Sequence, residues 1–338
     1  MPGNSLGTIY KITTFGESHG EALGVIIDGL PANLQVNLED LKKELKRRAP
    51  GQHEVHTSRK EEDEPEILSG VFENKTLGTP VCIIVKNKNQ QSADYDQLKD
   101  QYRPGHADKT TMQKYGFRDH RGGGRASGRE TVARVIAGYF AGLIIPNISC
   151  FAFISQLGQL KLAKHPMNHQ VQRGEINLPD PVLTKLAIEF LKDCKTKGES
   201  AGGIVTLSIQ GCPAGLGEPV FNKLKADLAQ GMMSIPACVG FSLGSGFELA
   251  FLPGSQVSQD KKHFGGIEGG ISNGEEIILN LAFKAPSTVG EKAKEGRHDP
   301  CILPRVVPVV EAMARIILAD HYLRQSSYSS FLLSEKDQ

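Results

Sequence analysis

Between Arg103 and Arg134 the chain carries six arginines and two lysines against Asp108, Asp119 and Glu130, although all 338 residues together have a net charge of only +1. Such a local surplus of positive charge in a near-neutral protein predicts a site for a small polyanion. Arginine predominates, and its planar fork grips carboxylate or phosphate through two parallel hydrogen bonds, as lysine cannot. Inside this stretch Gly122-Gly123-Gly124 leads into Ser127-Gly128-Arg129-Glu130 and an apolar run. Free backbone amides beside a helix N-terminus suit a phosphate. Ser127-x-x-Glu130 equally fits a capping box, in which the serine only satisfies a backbone amide, and the sequence does not separate the two readings. His19 lies in the glycine-bounded loop from Gly16 to Gly20, and His106 follows Pro104-Gly105. An imidazole in such a loop reaches a ligand and exchanges a proton near neutral pH. Arg297-His298-Asp299-Pro300 puts a cation, an imidazole and a carboxylate in one turn, where Asp299 also fits a turn former or a partner of Arg297. His165 and His169 stand four apart, but Pro166 and the lack of a third ligand nearby argue against a metal site.

The elements that position these residues follow from periodicity. Apolar alternation over residues 9–13 and the run 23–28 predict two strands joined by the His19 loop. Asn37 ahead of Leu38, Leu41 and Leu45 predicts a capped amphipathic helix that ends in Lys46, Arg47 and Arg48 before Pro50-Gly51. Further strands are predicted at 66–72, 81–85, 148–156, 204–209, 246–251 and 276–283. Helices are predicted at 127–145, 181–197 with Gly198 as the stop, 221–233 and 309–324. Strand pairs mixed with single long helices predict a layered α+β fold rather than a βαβ winding, and no G-x-G-x-x-G follows a strand. The polar, glycine-rich stretches 89–124 and 254–274 exceed the usual connection of roughly 4–6 residues, which marks them as functional loops. No repeat or composition break divides the chain, so one domain is expected over residues 1–325, followed by a loosely held tail at 326–338.

With 39% hydrophobic and 23% charged residues the composition is that of a globular protein. Near-zero net charge, sparse aromatics and the absence of tryptophan exclude nucleic acid as the partner, although Arg121 to Arg125 superficially resembles an RGG element. The six cysteines are spread singly, without the spacing of a zinc site or disulfide framework, and are expected as reduced thiols. No run of about 18 apolar residues and no basic, then apolar, leader is visible, so a cytoplasmic enzyme with no membrane partner is expected.

Gly16-Glu17-Ser18-His19-Gly20, Arg103-Pro104-Gly105-His106-Ala107-Asp108, the run 122–134 and Arg297-His298-Asp299-Pro300 together resemble the chorismate synthase family. Three longer signatures of that family match residues 16–31, 124–140 and 297–313, and the segment from Lys114 to Asp119 is similar as well. The resemblance implies a trans-1,4-elimination that turns 5-enolpyruvylshikimate 3-phosphate into chorismate, the last common step of the shikimate pathway. Reduced FMN is required but not consumed, and NADPH enters only as a reductant of the flavin. The implied fold is a sandwich of helices between antiparallel sheets, and the implied assembly a homotetramer. By position, His19 would protonate or polarise the departing phosphate, and His106 would donate a proton to the anionic reduced flavin. Asp299 would take part in removing the ring proton by way of the flavin N5, with Ser18 and Ser127 orienting that relay. Arg47, Arg48, Arg103 and Arg129 would bind the substrate's anionic groups. The flavin positions would be Arg125, Ala126 and Ser127, Pro236 and Ala237, Gly269, then Lys284, Ala285, Pro286, Ser287 and Thr288, and Arg297. The chain departs from the commoner pattern at Ala126-Ser127-Gly128, at Lys284-Ala285-Pro286 and in a short stretch from Lys284 to Arg297. Val239 replaces a usual lysine, and Glu54 stands where many members have an arginine, which leans toward reduced FMN supplied from elsewhere. A flavin-binding module without catalysis is disfavoured because His19, His106 and Asp299 are all present.

Overall fold

Asn37 sets the start of the first helix, α1 (Leu38–Arg48), where its side-chain oxygen accepts from the backbone N–H of Glu39 at 3.0 Å and of Asp40 at 3.4 Å. Leu41 and Leu45 form its buried stripe. In this computed structural model residues 3–51, 63–87, 102–103, 105–166, 169–170, 172–291, 293 and 299–336 are described, with side chains to residue 328.

Two five-stranded antiparallel sheets enclose the helices. The first contains β1 (Ser5–Leu6), β2 (Lys11–Phe15), β3 (Ala22–Asp28), β4 (Pro65–Ser69) and β7 (Val81–Lys86) in the order β1-β2-β3-β7-β4. A hairpin of β5 (Val71–Phe72) and β6 (Lys75–Thr76) extends from it. The second contains β8 (Ser149–Leu157), β9 (Leu160–Lys161), β10 (Gly203–Gln210), β11 (Cys238–Leu243) and β14 (Ile277–Phe283) in the order β11-β14-β10-β8-β9. In each sheet alternate residues face the core: Val25, Ile27, Val81, Ile83 and Val85 in the first, Val205, Leu207, Leu279 and Leu281 in the second, all with no exposed surface. Helix α3 (Thr131–Ile144) lies on the first sheet and α7 (Leu303–Lys336) on the second, and the two helices pack against each other. Gly138 permits that approach, since a Cβ there would stand 2.4 Å from Cβ of Ala312. Helix α4 (Pro181–Lys197) stops at Gly198 in the left-handed conformation, and α5 (Leu224–Met233) packs on α7. The result is the layered α+β fold that periodicity predicts, in the form the resemblance implies, a sandwich of helices between antiparallel sheets.

Several local expectations differ from the structure. The last helix begins at Leu303 rather than near Val309, with Pro308 inside it. Proline 308 cannot donate to the carbonyl four residues earlier, and that carbonyl, of Pro304, instead accepts from Asn177 Nδ2 at 2.9 Å. The same helix runs on through residues 326–336. The strand expected at 246–251 is a 3₁₀ turn, because Gly244 and Gly246 adopt φ of +55° and +54° and break the extension. On the side of β14 away from β10 the pairing strand is β11, which the sequence reading missed. Helix α2 (Asp108–Tyr115) occupies part of the expected loop 89–124, and α6 (Gly254–Val257) with the hairpin β12 (Ile267–Glu268) and β13 (Ile271–Ser272) fills part of 254–274. The helix expected from 127 opens as two 3₁₀ turns, Gly124–Ala126 and Gly128–Glu130, before α3.

All six cysteines are free, four of them buried. Burial pushes the Cys150 and Cys301 thiols up to about 12, which removes their nucleophilic form at neutral pH.

Glu311 on α7 is fully buried. It accepts from the Ala152 N–H at 2.9 Å, from Arg47 Nη2 at 2.8 Å and from Arg173 Nη1. Burial alone would raise its carboxyl, but Arg47, Arg173 and Arg315 outweigh burial and hold it below the ordinary 4.5. A depressed carboxyl adds stability that is present above the unfolded-state value and lost as pH falls through the folded-state one. Glu311→Gln removes the anion that Arg47 and Arg173 share, so urea unfolding at pH 7 is expected to report a loss of about 3–5 kcal/mol. That difference should shrink as pH falls through the depressed folded-state value of Glu311, where the native glutamate takes up its proton.

Candidate active site

The triglycine turn is where the two histidine loops meet. At Gly122, with φ of +125°, a Cβ would lie 2.2 Å from His19 Nδ1 and 3.0 Å from Ser18 Oγ. At Gly123 it would lie 3.3 Å from His106 Nε2 and 3.2 Å from Cβ of Ser127, and at Gly124 2.6 Å from a Glu17 carboxylate oxygen. Three residues without side chains therefore let Ser18, His19, His106 and Ser127 converge. Ser18 Oγ stands 3.0 Å from His19 Nδ1. Ser127 Oγ accepts from the Arg129 N–H at 3.3 Å, which realises its capping role. The other half of the capping box does not form: Glu130 accepts instead from Thr14 Oγ1 at 2.9 Å and from Arg134 Nε at 2.8 Å.

His106 is oriented by a buried carboxylate. Its Nδ1 lies 2.9 Å from Asp108 Oδ1 and 3.1 Å from Arg103 Nη2. Arginine only donates, so Nδ1 cannot serve both contacts in hydrogen-bonded form. Arg103 already gives Nε to Asp108 Oδ2 and Nη2 to Oδ1, each at 2.8 Å, with the Gly122 carbonyl at 3.2 Å. The shorter contact to the carboxylate decides the tautomer: the proton is on Nδ1, and Nε2 faces Gly123. Burial and the Arg103 charge together outweigh Asp108 and hold His106 below its ordinary 6.5. The resting ring is neutral near pH 7, and an anion brought to Nε2 raises its proton affinity. Burial raises the Asp108 carboxyl, but Arg103 and His106 hold it well below the usual range.

A second cluster is cationic. Arg48 Nη2 donates to Asp63 Oδ2 at 2.6 Å, and Arg129 Nη1 donates to the other Asp63 oxygen. The Asp63 side chain is 2% exposed. Burial raises its carboxyl, and Arg48 and Arg129 together bring it below the ordinary value. Asp299 accepts from Arg305 Nη1. Arg47, expected beside Arg48, points away to Glu44 and Glu311. Sequence reasoning missed Asp63, which sits in the acidic run from Glu61 to Glu64 and reads there as solvated surface. It missed Arg305 as well, whose bond to the Arg48 carbonyl joins residues remote in sequence.

Of the residues expected at a flavin, Arg125 turns its guanidinium to the Gly16 and Thr14 carbonyls at 3.1 and 3.2 Å and to Thr14 Oγ1. Arg125 and Ala126 line a cavity of about 920 Å³ whose wall also includes Gly122, Arg118, Phe117 and Arg134. Lys284 follows β14, its N–H bonded to the Ala237 carbonyl at 3.0 Å and its Nζ donating to Ser287 Oγ at 2.9 Å. Ala237 itself has φ of +66°, Ser200 Oγ holds the Pro286 carbonyl at 2.7 Å, and Ala285 packs on Gly202. Gly105 passes so close to Ser287 that a Cβ would stand 3.0 Å from its Oγ, so the segment from Lys284 to Thr288 borders the His106 loop. Gly269 does not join them. It turns β12 into β13, next to the Ile277 end of β14, whereas Lys284 leaves the Phe283 end, roughly 20 Å away at the rise of a strand. Glu54, Pro104, Arg297 and His298 lie outside the described residues. His169 stacks on Phe151 between Ser149 and Ser208, and His165 meets the edge of Phe153. Among the described residues no helix is long and apolar enough to cross a membrane.

The family profile described as chorismate synthase matches residues 10–323. Chorismate synthase of Flavobacterium psychrophilum is 47% identical, over 98% of this chain and the whole of its own. That of Christiangramia forsetii is 45% identical over 97% and 99%, and that of Synechocystis 44% over 95% and 98%. A chorismate synthase crystal structure superposes with a TM-score of 0.76 at 30% identity, covering 95% of this chain and 93% of the other. The match runs along nearly the whole length in both sequence and fold, and the chain belongs to the chorismate synthase family.

Proposed function

We propose that this chain eliminates phosphate from 5-enolpyruvylshikimate 3-phosphate in a trans-1,4 sense to give chorismate, with reduced FMN present and no net redox change. One observation carries the reading: two imidazoles meet across the triglycine turn, one beside Ser18 and the other backed by a buried carboxylate. In the reaction the C–O bond to phosphate breaks, a ring proton leaves, and a new C=C bond forms. His19 gives or shares a proton with the departing phosphate, and Asp299, held by Arg305, takes part in removing the ring proton. Arg48 and Arg129 balance the substrate's carboxylates and phosphate.

The residues fit a flat anionic cofactor. The glycine cradle at 122–124 admits no Cβ on its histidine-facing side, and Lys284 with Ser287 offers donors beside the His106 loop. FMN would be held by Ser127, Ala126, Pro236, Ala237 and the segment from Lys284 to Thr288. When bound in reduced form it supplies electron density that eases C–O cleavage. His106 Nε2 gains its proton as the negative charge arrives and then donates it. Arg103, expected at the substrate, here supports Asp108, and Arg125 braces the His19 loop. Gly269 enters the site only when a second copy brings it, in keeping with the homotetramer of the resemblance. NADPH serves only as a flavin reductant. A multiply anionic substrate does not cross membranes unaided, which fits a cytoplasmic enzyme with no membrane partner.

The test is an anaerobic assay with 5-enolpyruvylshikimate 3-phosphate and chemically reduced FMN. Chorismate and phosphate should appear in equal amounts, and neither with oxidised FMN. Bound FMN without product would sink the catalytic reading in favour of a flavin-binding module. Repeating the assay with NADPH and oxidised FMN reads whether the chain reduces its own flavin.

A further inference from the structure

The two ends of the proposed reaction are joined by one hydrogen-bonded chain. Asn87 Nδ2 donates to the Glu17 and Gly20 carbonyls at 3.3 and 2.8 Å, gripping the loop that carries His19 at both sides. Its Oδ1 accepts from Arg129 Nε at 3.1 Å. Arg129 then meets Asp63, Asp63 meets Arg48, and the Arg48 carbonyl accepts from Arg305 Nε at 3.3 Å. Arg305 finally donates to Asp299. The path runs through Asp63, a carboxylate held between two cations.

We propose that Asp63 is a positioning residue: it clips Arg48 and Arg129 side by side and so fixes the spacing between the His19 loop and Asp299. The inference rests on the function proposed above and adds a residue to it. Burying an ion pair costs desolvation that only good geometry and further hydrogen bonds repay. This one has two guanidiniums on one carboxylate, with the Arg48 and Arg129 side chains 1% and 10% exposed. Two guanidiniums held side by side suit the carboxylates and phosphate of an anionic substrate. Without Asp63 the two cations repel each other, and neither keeps the orientation that a planar fork needs to meet a carboxylate or phosphate squarely. A continuous path of charge-assisted bonds through largely buried groups resists displacement, which lets a shift at Arg48 be felt at the His19 loop.

Two substitutions separate this role from general stability. Asp63→Asn keeps the shape but turns an amide donor toward a guanidinium. Calorimetry with oxidised FMN, which supports no turnover, should find 5-enolpyruvylshikimate 3-phosphate bound at least about tenfold more weakly, while FMN affinity without substrate stays within about twofold. Asn87→Ala cuts only the link to the His19 loop, so kcat should fall about tenfold with substrate affinity within about threefold. Wild-type substrate affinity in Asp63→Asn would overturn the proposal, and so would a parallel loss of FMN affinity, which would mark general damage. Should Asp63→Asn not fold, Asn87→Ala decides: an unchanged kcat overturns the linkage, and the split just described supports it. A wild-type chain that bound substrate yet made no chorismate would strike at the proposed function instead, and the calorimetric comparison would still read the clip.

Discussion

Gly122→Ala is expected to lower kcat about 100-fold or more, the cost of moving a catalytic group by roughly 1 Å. The added Cβ would fall 2.2 Å from His19 Nδ1. Either the imidazole swings away from its place beside Ser18 or the turn moves and carries its contacts with both loops along. Positive φ at this position adds backbone strain of about 1–3 kcal/mol, so the thermal midpoint drops modestly while the fold persists. Gly128→Ala is the control, since a Cβ there meets nothing within 4 Å and its φ is not in the left-handed range. Steady-state kinetics with reduced FMN read both variants. A Gly122→Ala enzyme within about threefold of wild type would show that His19 need not stand where it does.

His106→Ala should fold and bind FMN yet lose about 10²–10⁴ in kcat, the usual range for a positioned proton donor. Its pH dependence has a definite sign. The active form is the ring protonated on both nitrogens, because Nδ1–H is committed to Asp108 and only a second proton makes Nε2 a donor. With the free-enzyme value held below 6.5 by burial and Arg103, kcat/KM should decline as pH rises through that value. Asp108 supplies a contribution that raises it, so Asp108→Asn should move the decline to lower pH as well as reduce the rate. A profile that does not move, or moves up, would remove Asp108 from the role of orienting carboxylate.

The parts of the molecule legible in sequence are those fixed by near neighbours. Asn37 caps the helix it precedes, Gly198 ends the helix it follows, and Gly122 to Gly124 stand beside a helix start they help to form. The α7 start was not legible, because the partner that makes Pro308 tolerable is Asn177, far away in the chain. Residues 246–251 carry the apolar composition of a strand, and only the backbone at Gly244 and Gly246 reveals that they cannot extend. Arginine content points to a cationic site, yet charge alone does not name a partner. Arg47, Arg103 and Arg125 turn to Glu311, Asp108 and the Thr14 and Gly16 carbonyls respectively. Asp63 needed both Arg48 and Arg129 in place before its role could be seen.

The bond from Arg305 to the Arg48 carbonyl joins residues 257 positions apart. Contacts of such separation form late, because closing a long loop of chain costs entropy before it returns any interaction energy. The first sheet and α1 can be in place while the anchor of Asp299 is still absent. On dilution from denaturant, circular dichroism should therefore recover ahead of chorismate formation, and a refolding intermediate would carry most of the architecture with the acid and base ends of its reaction still unregistered.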